Sequence, residues 1–234
     1  MRLNAYLARA GVASRRGADA LIKRGRVSIN GHLGQLNSRV KVGDSVKLDG
    51  HPLQAQSPRY ILLYKPAGTV TTLKDPEGRL KVTDLVKIPQ RVVPVGRLDF
   101  NTTGALLLTN DGELAHRLMH PSFGVNKVYE AEVKGDITPK MLDLLSNSIQ
   151  LDDGPTAPAK ARILKGTTLS KGRTLIELTI HEGHKHQVKR MLSAVNLPVQ
   201  KLHRSKYGPL DLKGLKSGHW RDLTKQELSQ LKQR

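Results

Sequence analysis

The chain has 234 residues, enough for a medium-sized domain and a small one, and a hydrophobic content of 38% allows it to bury a core. Its 39 Lys and Arg against 20 Asp and Glu give a net charge of +19, which indicates a polyanionic partner such as nucleic acid. The lack of cysteine excludes disulfides, thiolate metal sites and cysteine nucleophiles. An aromatic content of 3% argues against a single-strand binder built on a row of stacked rings.

The first residues lack the long apolar run of a signal peptide. The apolar runs at 60–64 and 105–108 are too short to span a bilayer. We therefore expect a soluble, cytoplasmic protein with no membrane partner.

Residues 1–56 are predicted to form a first domain, with ten Lys or Arg against three Asp and thus a net charge of +7. Leu3 and Leu7 recur at helical spacing, and Gly11 is a stop signal. Ser14 is a candidate N-cap for a second helix. A strand at 27–29 runs into Asn30-Gly31, a pair typical of a hairpin turn. Four apolar residues predict further short strands: Val40, Val42, Val46 and Leu48.

A linker is predicted at 57–60, and residues 61–234 are expected to form a larger domain in which strands and helices interleave. Alternating or apolar runs predict strands, and Thr138-Pro139 and Thr224 with Glu227 predict helix starts. Hairpin-like spacings favour a mixed, mainly antiparallel sheet flanked by helices over a doubly wound parallel one. The fold class predicted for the whole chain is α+β.

The segment Gly96-Arg97-Leu98-Asp99-Phe100-Asn101-Thr102-Thr103-Gly104 places one carboxylate before a glycine turn, and the apolar strand 105–108 follows. A lone acid on so rigid a support is a candidate nucleophile. The alternative is an aspartate that accepts hydrogen bonds from the amides of its own turn, which is common. The residues alone leave both interpretations open.

Two later segments also carry chemically useful side chains. Tyr129 lies on the predicted strand Lys127-Val128-Tyr129-Glu130-Ala131, where a tyrosine is most often a core or edge residue. The segment Glu182-Gly183-His184-Lys185-His186-Gln187-Val188-Lys189-Arg190-Met191 is a glycine turn that opens a basic helix, and its alternative role is a solvated face that contacts phosphate.

Taken in order, these motifs resemble the RsuA/RluB-type ribosomal RNA pseudouridine synthases, and residues 1–56 resemble an S4-type RNA-binding domain. The resemblance extends to Tyr64-Lys65-Pro66-Ala67-Gly68, to Leu202-x-Arg204-x-x-Tyr207-Gly208 and to Gly218-x-x-Arg221-x-Leu223-Thr224. It covers nearly the whole chain. One departure is Lys189, where many members of the family have arginine.

The resemblance implies a role for each site residue. Asp99 would be the nucleophile, Tyr129 would stack on the extruded base and can move a proton, and Lys189 would pair with Asp99. Arg97 and Arg190 would contact phosphates. The basic face of the N-terminal domain would comprise six residues: Arg9, Arg15, Arg16, Lys23, Arg24 and Arg26. The isomerisation needs no cofactor, and the basic surroundings of the histidines argue against a metal site.

The implied function is site-specific conversion of uridine to pseudouridine in ribosomal RNA. The RNA substrate is expected to be a structured stem-loop or an assembly intermediate, and the enzyme is expected to be a monomer. The segment Leu151-Asp152-Asp153-Gly154-Pro155 and the insertion through Lys171-Gly172 favour large-subunit (23S) RNA. The motif His186-Gln187-Val188-Lys189-Arg190-Met191 favours small-subunit (16S) RNA instead. Of the two, we expect large-subunit RNA to be the substrate, with small-subunit RNA as the alternative. A non-catalytic RNA-binding factor for ribosome assembly would have the same charge and the same N-terminal domain.

Overall fold

The structure is a computed structural model that describes residues 1–164 and 172–233. Lys171, in the insertion noted above, lies outside the described residues. The described part consists of a small N-terminal region and a larger region built on one extended mixed sheet, as predicted for an α+β protein.

The N-terminal region contains two short helices and a small antiparallel sheet. Its elements are α1 (Leu3–Arg9), α2 (Arg15–Lys23), β1 (Val27–Ile29), β2 (His32–Leu33), β3 (Val46–Leu48) and β4 (His51–Leu53). The strand order is β2-β1-β3-β4. The Ser14 hydroxyl accepts a hydrogen bond from the Gly17 amide at 3.1 Å, which confirms the predicted N-cap of α2. A separate apolar core holds this region together: Leu3, Leu7, Ala18, Ile22, Val27, Val40 and Val46.

The predicted hairpin is present, but one predicted strand is wrong. Asn30 and Gly31, both with positive φ, join β1 to β2 as a two-residue turn. Val42 is in no strand and is fully exposed, because the Asp44 carboxylate accepts from the Lys41 amide at 2.7 Å and closes a turn around it. Val40 is buried, although it too lies outside the strands.

The larger region alternates strands and helices along the chain. Its strands are β5 (Tyr60–Lys65), β6 (Val93–Pro94), β7 (Thr103–Thr109), β8 (Lys127–Lys134), β9 (Gln150–Leu151), β10 (Gly154–Pro155), β11 (Lys160–Ile163), β12 (Arg173–Ile180), β13 (Val199–Tyr207), β14 (Leu210–Asp211) and β15 (Trp220–Asp222). Its α-helices are α3 (Val82–Leu85), α4 (Gly112–Met119), α5 (Pro139–Ser146), α6 (Gln187–Ala194) and α7 (Lys225–Lys232). None of the helices in the described ranges has both the length and the hydropathy to cross a membrane.

The main sheet has the order β11-β12-β8-β13-β7-β5-β15, with β6 on β7 and β14 on β13. Among its described pairings, only β7 with β13 is parallel. The prediction of a mixed, mainly antiparallel sheet is therefore confirmed. At the parallel pair Gly104 lies opposite Arg204, and a Cβ on Gly104 would lie only 2.2 Å from the Arg204 carbonyl oxygen. Glycine is therefore required where the strand after Asp99 meets β13.

The central strands are apolar on both faces because helices cover both. On β5, Ile61 and Leu63 join a core with α5 and α6, whereas Leu62 joins a second core with α4 and α7. β7 alternates in the same way. This sandwich explains why the run Ala105-Leu106-Leu107-Leu108 is continuously hydrophobic.

The segment predicted as a linker is fastened to the larger region. The Asn110 side chain accepts from the Arg59 amide at 2.7 Å and donates to the Ser57 carbonyl at 3.0 Å. Tyr60, the last residue assigned to the linker, is already the first residue of β5.

Candidate active site

Asp99 lies in the turn between β6 and β7, and the side chain of Lys65 supports this turn from behind. Lys65 is fully buried at the end of β5. Its Nζ donates to the backbone carbonyls of Pro66 at 3.0 Å, Phe100 at 3.1 Å and Thr102 at 2.8 Å. Burial lowers the pKa of Lys65 to about 8, and the nearby Asp99 carboxylate opposes this shift. The turn that carries Asp99 is thus pinned by a buried cation.

The Asp99 carboxylate is contacted by two side chains from the start of α6. Lys189 Nζ donates to Asp99 Oδ2 at 2.8 Å, and His186 Nε2 lies 3.4 Å from Asp99 Oδ1. About one third of the Asp99 side chain remains exposed, so a substrate atom can still reach it. His186 has a φ of +53°, a conformation unusual for a residue with a side chain, and it directly precedes the first turn of α6.

The loop before α6 is held by a network of polar side chains. Gln187 is buried, accepts from the His184 amide at 3.0 Å and donates to the Glu182 carboxylate. The same carboxylate accepts from the Ala157 amide at 3.0 Å. Lys127 Nζ donates to the carbonyls of His181 and Glu182, both at 3.2 Å, and burial lowers its pKa to about 8. These contacts fix the position of α6 and hence of Lys189.

Tyr129 and Arg204 meet at the base of the same cleft. Tyr129 on β8 is 8% exposed and Arg204 on β13 is 2% exposed. Arg204 Nη1 donates to the Tyr129 hydroxyl at 3.3 Å, and Arg204 Nε donates to the Ala105 carbonyl at 2.8 Å. The guanidinium carbon lies 5.9 Å from the Tyr129 ring centre and 5.1 Å from that of Tyr207. One arginine therefore ties Tyr129 to the strand that follows Asp99.

These residues surround a cleft of about 540 Å³, with Asp99, Tyr129, Leu202 and Val188 among its lining residues. A smaller hollow of about 380 Å³ adjoins it and shares part of its lining. Arg97, Asp99 and His186 line both. The larger cleft is of a size to hold one nucleoside.

The predicted phosphate contacts of the larger region fall into two groups. Arg97 is exposed at the mouths of both hollows. Arg190 instead makes two hydrogen bonds to the Asp153 carboxylate, at 2.7 and 2.9 Å, and holds the pKa of that carboxyl at about 2. The structure thus brings Asp99, Tyr129, Lys189 and Arg97 together and engages Arg190 in an ion pair beside them.

The predicted basic face of the N-terminal region is mostly open to solvent. Arg15, Arg16, Lys23 and Arg24 are exposed and have no ion pair within the described ranges. Arg26 is bonded to Asp49 through Nε at 2.9 Å, and Arg9 donates to the Gln56 carbonyl at 3.4 Å. Four of the six predicted cations are therefore free to meet phosphates.

The sequence motifs contain Lys65, Lys127, His186 and Arg204 but indicate no role for them. Lysine at the end of the apolar run Tyr60-Ile61-Leu62-Leu63-Tyr64 could have indicated a buried cation, since so apolar a strand leaves its terminal side chain little access to water. Arg204 belongs to the motif Leu202-x-Arg204-x-x-Tyr207-Gly208, but nothing in its local sequence indicates that its side chain is buried. Within the part of the chain that the structure describes, no cluster of His, Asp and Glu is arranged to hold a metal ion.

Comparison with known proteins identifies the class of this chain. The model of the RNA pseudouridylate synthase family matches residues 59–194, and that of the S4 domain matches residues 1–46. The chain therefore belongs to the RNA pseudouridylate synthase family and carries an S4 domain at its N-terminus, as the sequence motifs predicted.

Curated relatives and a solved structure match over nearly the full length. The chain is 46% identical to the ribosomal large subunit pseudouridine synthase B of Bacillus subtilis (strain 168), covering 99% of this chain and 95% of that protein. It is 40% identical to the protein of the same name from Escherichia coli (strain K12), covering 95% and 79%. A crystal structure of a pseudouridylate synthase superposes with a TM-score of 0.71 at 30% identity, covering 99% of each chain.

Proposed function

We propose that this protein isomerises uridine to pseudouridine in ribosomal RNA, and that its substrate is large-subunit RNA. Family membership supports the reaction, and the names of the two relatives support the substrate. The net charge of +19 and the exposed cations of the S4 domain suit an RNA partner.

The observation that carries the proposal is the 2.8 Å contact between Lys189 and Asp99 at the mouth of the cleft. Lys189 holds the carboxylate in a fixed orientation, and a carboxylate is the group that can attack as a nucleophile. Lys65 keeps the carboxylate's backbone in place. Asp99 is accordingly the proposed nucleophile, and Lys189 its positioning partner.

The reaction breaks the bond from uracil N1 to ribose C1′ and forms one from C5 to C1′. The proton on C5 leaves, and N1 gains a proton, so no redox partner or group donor is needed. Tyr129 provides an aromatic face for the detached base. Because its oxygen accepts a hydrogen bond from Arg204, its own proton can be directed into the cleft.

The target uridine has to leave its stack to reach Asp99, at a cost of a few kcal/mol that is lowest in a loop or irregular stem. The S4 domain and Arg97 would hold the surrounding RNA by its phosphates. The proposed substrate is a structured stem-loop of large-subunit RNA, either free or in an assembly intermediate. The enzyme is proposed to act as a monomer.

The test is tritium release from RNA labelled at uridine C5. We expect the wild type to release tritium from large-subunit RNA, and we expect Asp99→Asn to be slower by at least about 10⁴-fold while it binds RNA normally. Asp136→Asn is the matched control, since Asp136 lies in a loop after β8 away from the cleft lining and should keep full activity.

Each contrary result has a defined meaning. Release from small-subunit RNA alone would overturn the substrate. Binding without release from either RNA would overturn the reaction and favour a ribosome-assembly factor. Full turnover by Asp99→Asn would remove Asp99 from the mechanism.

A further inference from the structure

Phe100, the residue directly after Asp99, is exposed to solvent. It is one of two phenylalanines in the chain. It is 43% exposed, whereas large aromatic side chains in soluble proteins are usually well buried. It lines the smaller hollow next to the active site. An exposed ring beside the proposed catalytic aspartate is available to stack on a nucleobase.

The backbone that carries this ring is firmly held. The Phe100 carbonyl accepts from Lys65 Nζ at 3.1 Å and from the Gly68 amide at 3.0 Å. The Thr102 amide donates to the Asp99 carbonyl at 3.1 Å and closes the turn. The exposure of Phe100 is therefore a fixed feature of the surface beside Asp99.

Most polar groups of the smaller hollow already have partners inside the protein. The hydroxyl of Thr71 donates to the Leu98 carbonyl at 2.7 Å, and that of Thr72 to the Lys74 carbonyl at 2.8 Å. The Asp75 carboxylate is neutralised by Arg79 at 2.7 Å.

Two cations of the same hollow remain available. Neither Lys74 nor Arg97 takes part in an ion pair with any residue in the described ranges. The hollow thus offers one aromatic face and two cations, which is the combination that binds a nucleobase and its phosphate.

We infer that the smaller hollow binds the nucleotide next to the target uridine, with Phe100 stacked on its base and Arg97 and Lys74 on its phosphates. The inference rests on the proposed function. Asp99 lines both hollows, so a uridine held at Asp99 in the larger cleft brings its covalently linked neighbour close to the smaller one. The low aromatic content argues against a row of stacking rings but is compatible with this single platform.

The test is a double-mutant cycle that combines a substitution in the protein with a change in the RNA. The measured quantity is the equilibrium affinity for a large-subunit stem-loop in which tritium release has identified the target uridine. Abasic sites replace the 5′ or the 3′ neighbour of that uridine. We expect one of the two abasic RNAs to bind the wild type about tenfold more weakly, as expected for loss of one base stack. Phe100→Ala should weaken binding of the intact RNA to a similar extent, and the abasic site should cause no further loss of affinity in this variant. Phe100→Trp should bind like the wild type.

The matched control is Leu144→Ala, because Leu144 is similarly exposed at 48% but lies on α5 away from the lining of both hollows. This variant should keep the wild-type response to the abasic site. The inference would be overturned if the losses of affinity from Phe100→Ala and from the abasic site simply add, or if neither change lowers the affinity. Tritium release without coupling between Phe100 and either abasic site would overturn this inference alone, whereas no tritium release from any large-subunit RNA would overturn the proposed function.

Discussion

The N-terminal region and the active-site cleft both depend on cations but use them in opposite ways. On the N-terminal region Arg15, Arg16, Lys23 and Arg24 are exposed and carry no ion pair among the described residues. Around the active site Lys65 and Arg204 are buried and donate to specific backbone or side-chain oxygens.

The difference separates two tasks of positive charge. Exposed cations attract RNA over a distance and contribute affinity that salt weakens. Buried, hydrogen-bonded cations are little affected by salt and fix the geometry of the groups around them. Substitutions in the cleft should therefore change turnover or stability, and those on the N-terminal region should change binding and its salt dependence.

The largest effect is expected for Lys189→Met, which removes the cation that contacts Asp99. The rate of the chemical step should fall by about 10²- to 10³-fold, the usual size of such an electrostatic contribution. Lys189→Arg should stay within about tenfold of the wild type, because it restores a cation in reach of the carboxylate. Single-turnover tritium release measures both. A fully active Met variant would show that the ion pair is dispensable.

Gly104→Ala tests how tightly the catalytic strands are packed. Its Cβ would lie 2.2 Å from the Arg204 carbonyl oxygen at a φ of +120°, so we expect a loss of more than about 3 kcal/mol in the free energy of unfolding. Gly31→Ala in the N-terminal hairpin is the control. That position has open space and a positive φ, which costs about 1 kcal/mol. Urea unfolding followed by circular dichroism compares them, and equal losses would contradict the close packing.

Lys65→Met removes the cation behind the Asp99 turn and should lower the free energy of unfolding by about 2 kcal/mol at pH 7, since three carbonyls lose their donor. The loss should grow as the pH rises. The folded-state pKa of Lys65 is about 8 against 10.5 for the free side chain, so between these values the unfolded chain holds more protons and wild-type stability rises with pH.

The comparison of the two proteins from pH 7 to 10 isolates the contribution of Lys65. Lys127 has a similarly lowered pKa, so part of the rise should remain in the variant. Parallel stability curves for the wild type and Lys65→Met would show that Lys65 is not titrating in this range.

Local signals in the sequence were sufficient for much of the fold. The caps at Ser14 and Thr224 and the Asn30-Gly31 turn were predicted because their hydrogen bonds lie within a few residues. The strand prediction for Val42 is wrong because an alternating apolar pattern does not reveal that Asp44 closes a turn around it.

The site residues divide in the same way. Asp99, Tyr129 and Lys189 stand in recognisable motifs, and the resemblance to a family suggested their roles. Arg204 acts on Tyr129 across 75 residues of sequence and on Ala105 across 99, and both contacts exist only because β13 lies between β7 and β8. Such a contact depends on strand order, which the local sequence does not encode.

The smallest effect is expected on the N-terminal face, from the pair Arg16→Ala and Lys23→Ala. If both contact phosphates, each substitution should lower the slope of log affinity against log salt by about one, and together they should weaken RNA binding by about tenfold at moderate salt. The rate at saturating RNA should not change, since both residues lie on α2 and outside the lining of either hollow. Arg26→Ala offers an internal comparison, because the Arg26 guanidinium is already paired with Asp49 and should contribute less to the salt slope. A slower saturated rate in the double variant would mean that the two regions share the work of positioning the uridine, and the division between affinity and geometry would not hold.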